Sequence, residues 1–198
     1  MFNTFGSTTS TIGGGVPVWK KVEDKLTSGA TLGILPAIGS VLPAGTPVAV
    51  SAVGGTAYPM YFAVAAAAAA SGDTTLSIKA GDNYAVPVVG DKITVIDGQE
   101  LTISVVGTAS GGAIALTVTA LTADIASGAV LYLSERDSKD IILANLMGLT
   151  ENDVYAETGT TAATVAVVTS GTVYADRVPF VPFSVKNRIP NIIFEGGI

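Results

Sequence analysis

Histidine and cysteine are absent from this chain of 198 residues, and charged residues make up only 13% of it. Their absence excludes Ser–His and Cys–His nucleophiles and the common zinc sites. No disulfide can staple the fold, so a core must be built by packing alone, which a chain of this length can do. Lack of cysteine is compatible with a cytosolic origin. Aromatic residues are few, at 7%, with one tryptophan, Trp19. Hydrophobic residues reach 48%, but many are Ala and Val, a composition suited to thin β layers and closely approaching backbones.

Basic residues are also scarce. Ten Lys and Arg against sixteen Asp and Glu leave a net charge of −6. Nucleic acid is therefore not an expected partner, because a phosphate backbone is met by clustered cations. The closest approach to a cluster, Lys20 and Lys21, is followed at once by Glu23 and Asp24. That run reads as a solvated or contact-forming charged patch. Residues 1–10 lack the basic and apolar regions of a secretory signal. The apolar run YFAVAAAAAA at 61–70 falls well short of the about 20 residues that span a bilayer, so no membrane association is expected.

What is present is β patterning. Residues 1–15 are rich in Ser, Thr and Gly and read as an arm that orders against a partner, by strand addition or by docking Trp19. Prolines and glycines between 30 and 55 exclude a long helix and favour short strands. The alanine run 65–70 reads as a small-residue connector leaving a strand that begins at Tyr61, with a single helical turn as the alternative. Five β-branched runs follow between Thr74 and Leu133, with Asp97-Gly98 as a hairpin signal. They predict a small β-barrel or sandwich. SERDSKD at 134–140 reads as a solvated connector or turn. Residues 141–146 fit a short helix or a buried strand equally well. Three prolines (Pro179, Pro182, Pro190) predict an extended run along a surface from Asp176 to Ile198.

The search for chemistry returns little. The carboxylate pairs Asp91/Asp97, Glu135/Asp137 and Glu151/Asp153 lie in predicted turns, where Asp caps backbone groups, and none has EF-hand spacing. The glycine-rich pieces GGG at 13–15 and GTASGG at 107–112 lack the following helix and Lys-Ser/Thr pair of a phosphate loop. No catalytic, cofactor-binding or metal-binding residue is assigned, and an enzyme is not expected. Arg177, Lys186 and Arg188 form a mildly basic strip beside Phe180, Phe183 and Phe194. It reads either as a protein-docking strip or as the closure of the core.

Three segments carry a family resemblance: LPAGTPVAV at 42–50, ILANLMGLTENDV at 142–154 and AATVAVVTSGTVYADRVP at 162–179. Together they resemble the head-decoration (auxiliary capsid) proteins of tailed bacteriophages, the group typified by the lambda decoration protein. In that pattern a turn-rich strand region precedes an acidic turn and a Val/Ala strand that ends in a Gly-containing hairpin. Residues 71–134 depart from it as an insertion, similar to the small β modules of many phage virion proteins.

The resemblance implies a mainly β chain in three parts. These are an N-terminal arm (1–29), a split decoration-like β core (30–70 plus 135–198) and an inserted β-barrel or sandwich module (71–134). It implies a non-enzymatic homotrimer on the outer capsid surface of the virion, assembled in the host cytoplasm, with the major capsid protein as partner. Val16, Val18, Trp19, Lys20 and Lys21 are the capsid-contact candidates, joined at the C-terminal end by Arg177, Phe180, Phe183, Lys186 and Arg188. Alternative readings are a carbohydrate- or receptor-binding module at 71–134, a tail or neck adaptor, and a head-fibre component as in crAss-like phages.

Overall fold

The computed structural model describes residues 17–27, 29–36, 38–51, 55–80, 87–96, 98–155, 159 and 161–196. The protein is mainly β. In chain order the strands open with β1 (Trp19–Lys25), β2 (Ala30–Leu32), β3 (Val41–Leu42), β4 (Pro47–Val50), β5 (Thr56–Pro59) and β6 (Phe62–Val64). Then come β7 (Thr75–Lys79), β8 (Lys92–Val95), β9 (Glu100–Val106), β10 (Ala113–Val118), β11 (Val130–Arg136) and β12 (Lys139–Asp140). A 3-10 turn at Leu143–Asn145 leads to β13 (Leu146–Thr150), β14 (Val154–Tyr155), β15 (Thr164–Val165) and β16 (Val167–Tyr174). The short helix α1 (Phe183–Lys186) precedes β17 (Ile192–Glu195).

One sheet runs β1-β16-β13-β4-β5-β2-β15, with β17 added to β16. Its centre joins segments far apart in sequence: Leu149 of β13 pairs with Pro47 of β4 on one side and Val168 of β16 on the other. All of β4 is buried, as Ala and Val on both faces permit. Small residues let the strands press together. A Cβ on Gly148 would lie 2.1 Å from the Val168 carbonyl oxygen.

The second sheet runs β12-β11-β8-β9-β10-β7, with β6 on β11. Alternation does the sorting here: Ile114, Leu116 and Val118 of β10 point inward while the residues between them are exposed. The sheet curls until Ala65, just past β6, bridges Ile78 of β7. Leu76, Ile78, Leu101, Ile103, Leu116 and Leu131 fill the interior, each at most 1% exposed. Residues 71–134 all lie between the strands of this curled sheet, and β6 before them and β12 after them complete it. Phe62, Leu133 and Ile141 pack against Ile34, Ala49 and Val185, so an apolar seam joins the two sheets. Phe62 alone, 2% exposed, contributes roughly 1.5–3 kcal/mol by its burial.

The five strands expected between Thr74 and Leu133 are β7 to β11. β8 and β9 form the expected hairpin, although Asp97 lies outside the described residues. The alanine run is a connector: Ala65 and Ala69 are buried, and the Ala66 N–H donates to the Ser77 oxygen at 2.8 Å. Both readings of 141–146 hold in part, since a 3-10 turn at Leu143–Asn145 runs directly into β13.

Three expectations are corrected and one is narrowed. Residues 17–25 are no projecting arm, because β1 pairs along β16 from Trp19↔Val173 to Lys25↔Val168. SERDSKD, expected as a solvated connector or turn, holds a turn: two exposed residues between the end of β11 and β12. Asp137 and Ser138 both have positive φ (52° and 58°), which a tight hairpin of this kind requires. Gly171 marks no hairpin: β16 runs straight through it, and the missing side chain lets the Lys21 carbonyl of β1 approach. The C-terminal segment does not simply run extended. Pro182 sits where α1 begins and Pro190 in the turn before β17, so neither interrupts a strand. Between them Val185 and Ile189 are buried, and Ile192 pairs with Gly171 in parallel register.

Candidate functional site

The carboxylates of Asp91, Glu135, Glu151 and Asp153 accept bonds from the backbone and from basic side chains. Asp91, 1% exposed, accepts two bonds from Arg136, from Nε at 2.9 Å and Nη2 at 2.6 Å, and one from the Val88 N–H at 2.8 Å. The guanidinium carbon lies 5.5 Å from the centre of the Tyr61 ring, a cation–π distance. Burial works against the charge on Arg136, yet the Asp91 carboxylate bonded to it holds its pKa above the usual range. Burial raises the pKa of the Tyr61 hydroxyl. These three bonds tie Asp91 to β11 and to the backbone at Val88, so the constellation reads as a lock on the strands.

The other pairs behave alike. Lys92 lies 2.6 Å from Glu135 and 3.8 Å from Glu100, and the hydrogen-bonded Glu135 holds its ammonium above the ordinary range. Glu151 meets Lys25 at 3.0 Å, and Asp153 accepts the Ala44 N–H at 2.7 Å. Among the described residues no three His, Cys, Asp or Glu side chains converge as a metal site would need. No helix among them is long and apolar enough to cross a membrane. Behind Arg136 and Tyr61 lies a cavity of about 20 Å³ lined by Phe62, Ile78, Ile93 and Leu131. It has room for about one water and is far below the roughly 300 Å³ of a small-molecule pocket.

A buried polar knot has no single-residue signal in the sequence. The Thr150 hydroxyl donates to the Pro43 oxygen at 2.9 Å and accepts the Thr46 N–H at 3.0 Å. The Thr150 carbonyl in turn receives the Gly45 N–H at 2.8 Å and the Trp19 indole N–H at 3.2 Å. Thr46 and Thr150 are fully buried. Thr150→Val keeps the shape but removes the hydroxyl, and because the Pro43 oxygen keeps the Thr46 hydroxyl at 2.6 Å, it should cost about 1 kcal/mol. A urea titration reads this directly, and an unchanged midpoint would show the knot to be energetically idle.

The two groups of contact candidates, far apart in sequence, meet at one corner. Val16 lies outside the described residues. Val18 is 1% exposed and packs with Val173, Val178 and Ile189, so it faces inward. Trp19 is half-buried and tied to Thr150, whereas Lys20 and Lys21 are exposed on β1. Lys20 sits 2.8 Å from Glu195 of β17, whose hydrogen-bonded carboxylate raises the lysine pKa. Lys21 sits 2.7 Å from Glu23 and, by that bond, lowers the glutamate pKa. Arg177 lies over the Tyr174 ring at 4.0 Å and donates to the Pro17 oxygen at 2.9 Å. Lys186 lies over the Phe194 ring at 4.5 Å, and Arg188 is exposed. Phe180 is half-buried against the seam, but Phe183 is 79% exposed and Ile193 62%. The core-closing reading thus holds for Phe180 and Phe194 but not for Phe183. Ile193 was not singled out from the sequence, because a short apolar run says nothing about which face stays open.

No family model matches the chain, and no curated protein or solved structure is significantly similar to it. The class that the fold defines is therefore architectural: a mainly β protein of two sheets, one of them curled, joined by an apolar seam.

Proposed function

We propose that this chain is a structural virion protein that binds the outer surface of a phage capsid and stabilises the shell. One observation carries the reading. The three segments that resemble head-decoration proteins supply β4, β13 and β16, and these lie side by side in one sheet. The intervening residues 71–134 go into the other, curled sheet, which in this reading is the outward-facing insertion.

The contact surface is the corner where β1, β16 and β17 meet. It offers Lys20, Lys21, Arg177, Lys186 and Arg188, half of the chain's ten basic residues, together with the exposed Phe183 and Ile193. Cations and exposed apolar side chains together suit an acidic protein surface. A trimer with three such corners bridges several major capsid protein subunits, and its binding free energy then adds to the stability of the shell.

Light scattering and co-sedimentation test this together. The chain should have the mass of a trimer and pellet with shells of its cognate phage stripped of surface proteins. The double substitution Phe183→Asp/Ile193→Asp should reduce pelleting at least about tenfold, as expected when charges enter an apolar contact centre. A stable monomer that ignores such shells would refute the reading.

A further inference from the structure

We propose that copies of this chain exchange residues 178–196, so that α1 and β17 of one copy take the place of α1 and β17 in another. The inference is independent of the capsid reading. It begins from a mismatch between topology and packing. By topology the segment is an addition. The first sheet runs unbroken from β1 to β15 without β17, which pairs with β16 alone. That pairing is short and parallel, four residues against Gly171 to Tyr174.

By packing the same segment is core. Val178, Val181, Val185, Ile189 and Ile192 are each at most 5% exposed. Val178, Ile189 and Ile192 pack with Val18, Leu149 and Val173, while Val181 and Val185 join the seam formed by Ile34, Phe62 and Leu133. Were the segment to leave, these apolar residues and one edge of β16 would stand open to water. Only a segment of matching shape and pairing restores both. The same residues of a second copy supply every one of those contacts, which is the condition for exchange of an element between identical chains.

The closed and exchanged forms differ in the turn after β16. Residues 175–177 carry no strand or helix, and none of them is buried. The Arg177 N–H closes the turn on the Tyr174 oxygen at 3.1 Å. Its guanidinium lies over the Tyr174 ring at 4.0 Å and donates to the Pro17 oxygen at 2.9 Å. Straightening the turn gives up these contacts but no buried side chain. A segment tethered to its own sheet has an effective concentration on the order of millimolar, so exchange competes with closure when the chain refolds near that concentration.

The chain has no cysteine, so introduced thiols report which copy each segment joins. Thr172 and Ile193 are direct partners across β16 and β17, and neither is buried. Full chains carrying Thr172→Cys alone and Ile193→Cys alone are unfolded, mixed, refolded together near millimolar concentration and oxidised. Disulfides between unlike chains should outnumber those between like chains about tenfold, because only exchange sets residue 172 of one copy beside residue 193 of the other. The unsubstituted chain, refolded at the same concentration, should show multiples of the chain mass by light scattering. Equal numbers of like and unlike disulfides would mean that copies touch through their surfaces without exchange, and would overturn the proposal. A chain that stays monomeric after such refolding would overturn it as well.

Discussion

Replacing Arg136 by methionine should lower the unfolding free energy by about 3–5 kcal/mol, because it leaves the Asp91 carboxylate buried without its cation. Asp91 is 1% exposed and receives two of its three bonds from Arg136. Methionine keeps much of the packing along the stem, so the loss reports the charge rather than a void. The double substitution Asp91→Asn/Arg136→Met should recover a large part of that loss. Asparagine can still accept the Val88 N–H, and no net charge remains to be desolvated. Urea titrations of the wild type, both single substitutions and the double substitution give the coupling, provided that the slope is constant. A loss below about 1 kcal/mol for Arg136→Met would mean that water reaches Asp91 and that the pair is a surface ion pair in all but burial.

That pair also marks the boundary of what sequence can convey. β7 to β11 were legible because each alternates polar and apolar residues and is bounded by turn residues, which is local information. Asp91 and Arg136 are 45 positions apart, and only the register Glu135↔Lys92 between β11 and β8 brings them together. Arg136 stood in a run whose charge density suggests solvent. Its side chain instead reaches back over Tyr61, a residue that precedes the curled sheet. The Thr46–Thr150 knot escaped notice for the same reason, since two threonines 104 positions apart carry no mark of mutual burial. The C-terminal segment misled in the opposite sense. Three prolines spoke against pairing, but they fall in the turns, where a missing N–H costs nothing.

The resemblance to decoration proteins was carried by segments, and the sheet gives those segments a common physical setting. Pro47 to Val50, Gly148 to Thr150 and Val167 to Tyr174 are rich in glycine, threonine and small apolar residues. Such residues suit strands packed on both faces with backbones in close contact. The candidate contact corner was only half legible. Lys20, Lys21 and Phe183 are exposed, whereas Val18, just before β1, packs into the core against Val173 and Val178.

Gly148→Ala isolates the effect of that close contact, with an expected loss of about 3 kcal/mol, at the upper end for overpacking. The added methyl would meet the Val168 carbonyl oxygen at 2.1 Å, its carbon at 3.0 Å and Val167 Cγ1 at 3.2 Å. The first two are backbone atoms of β16, so relief requires β13 and β16 to separate. Leu149 and Thr150 pair there with Val168 and Val167, in the middle of the eight-stranded sheet. Gly33→Ala is the control. Its nearest obstacle, Tyr58 Cε1 at 2.3 Å, belongs to a half-buried side chain that can turn aside. Thermal and urea unfolding of the two variants should therefore rank Gly148→Ala well below Gly33→Ala, although the distances are alike. Equal losses would mean that the rigidity of β16 does not govern the cost. The packing of β4, β13 and β16 would then be looser than their burial implies.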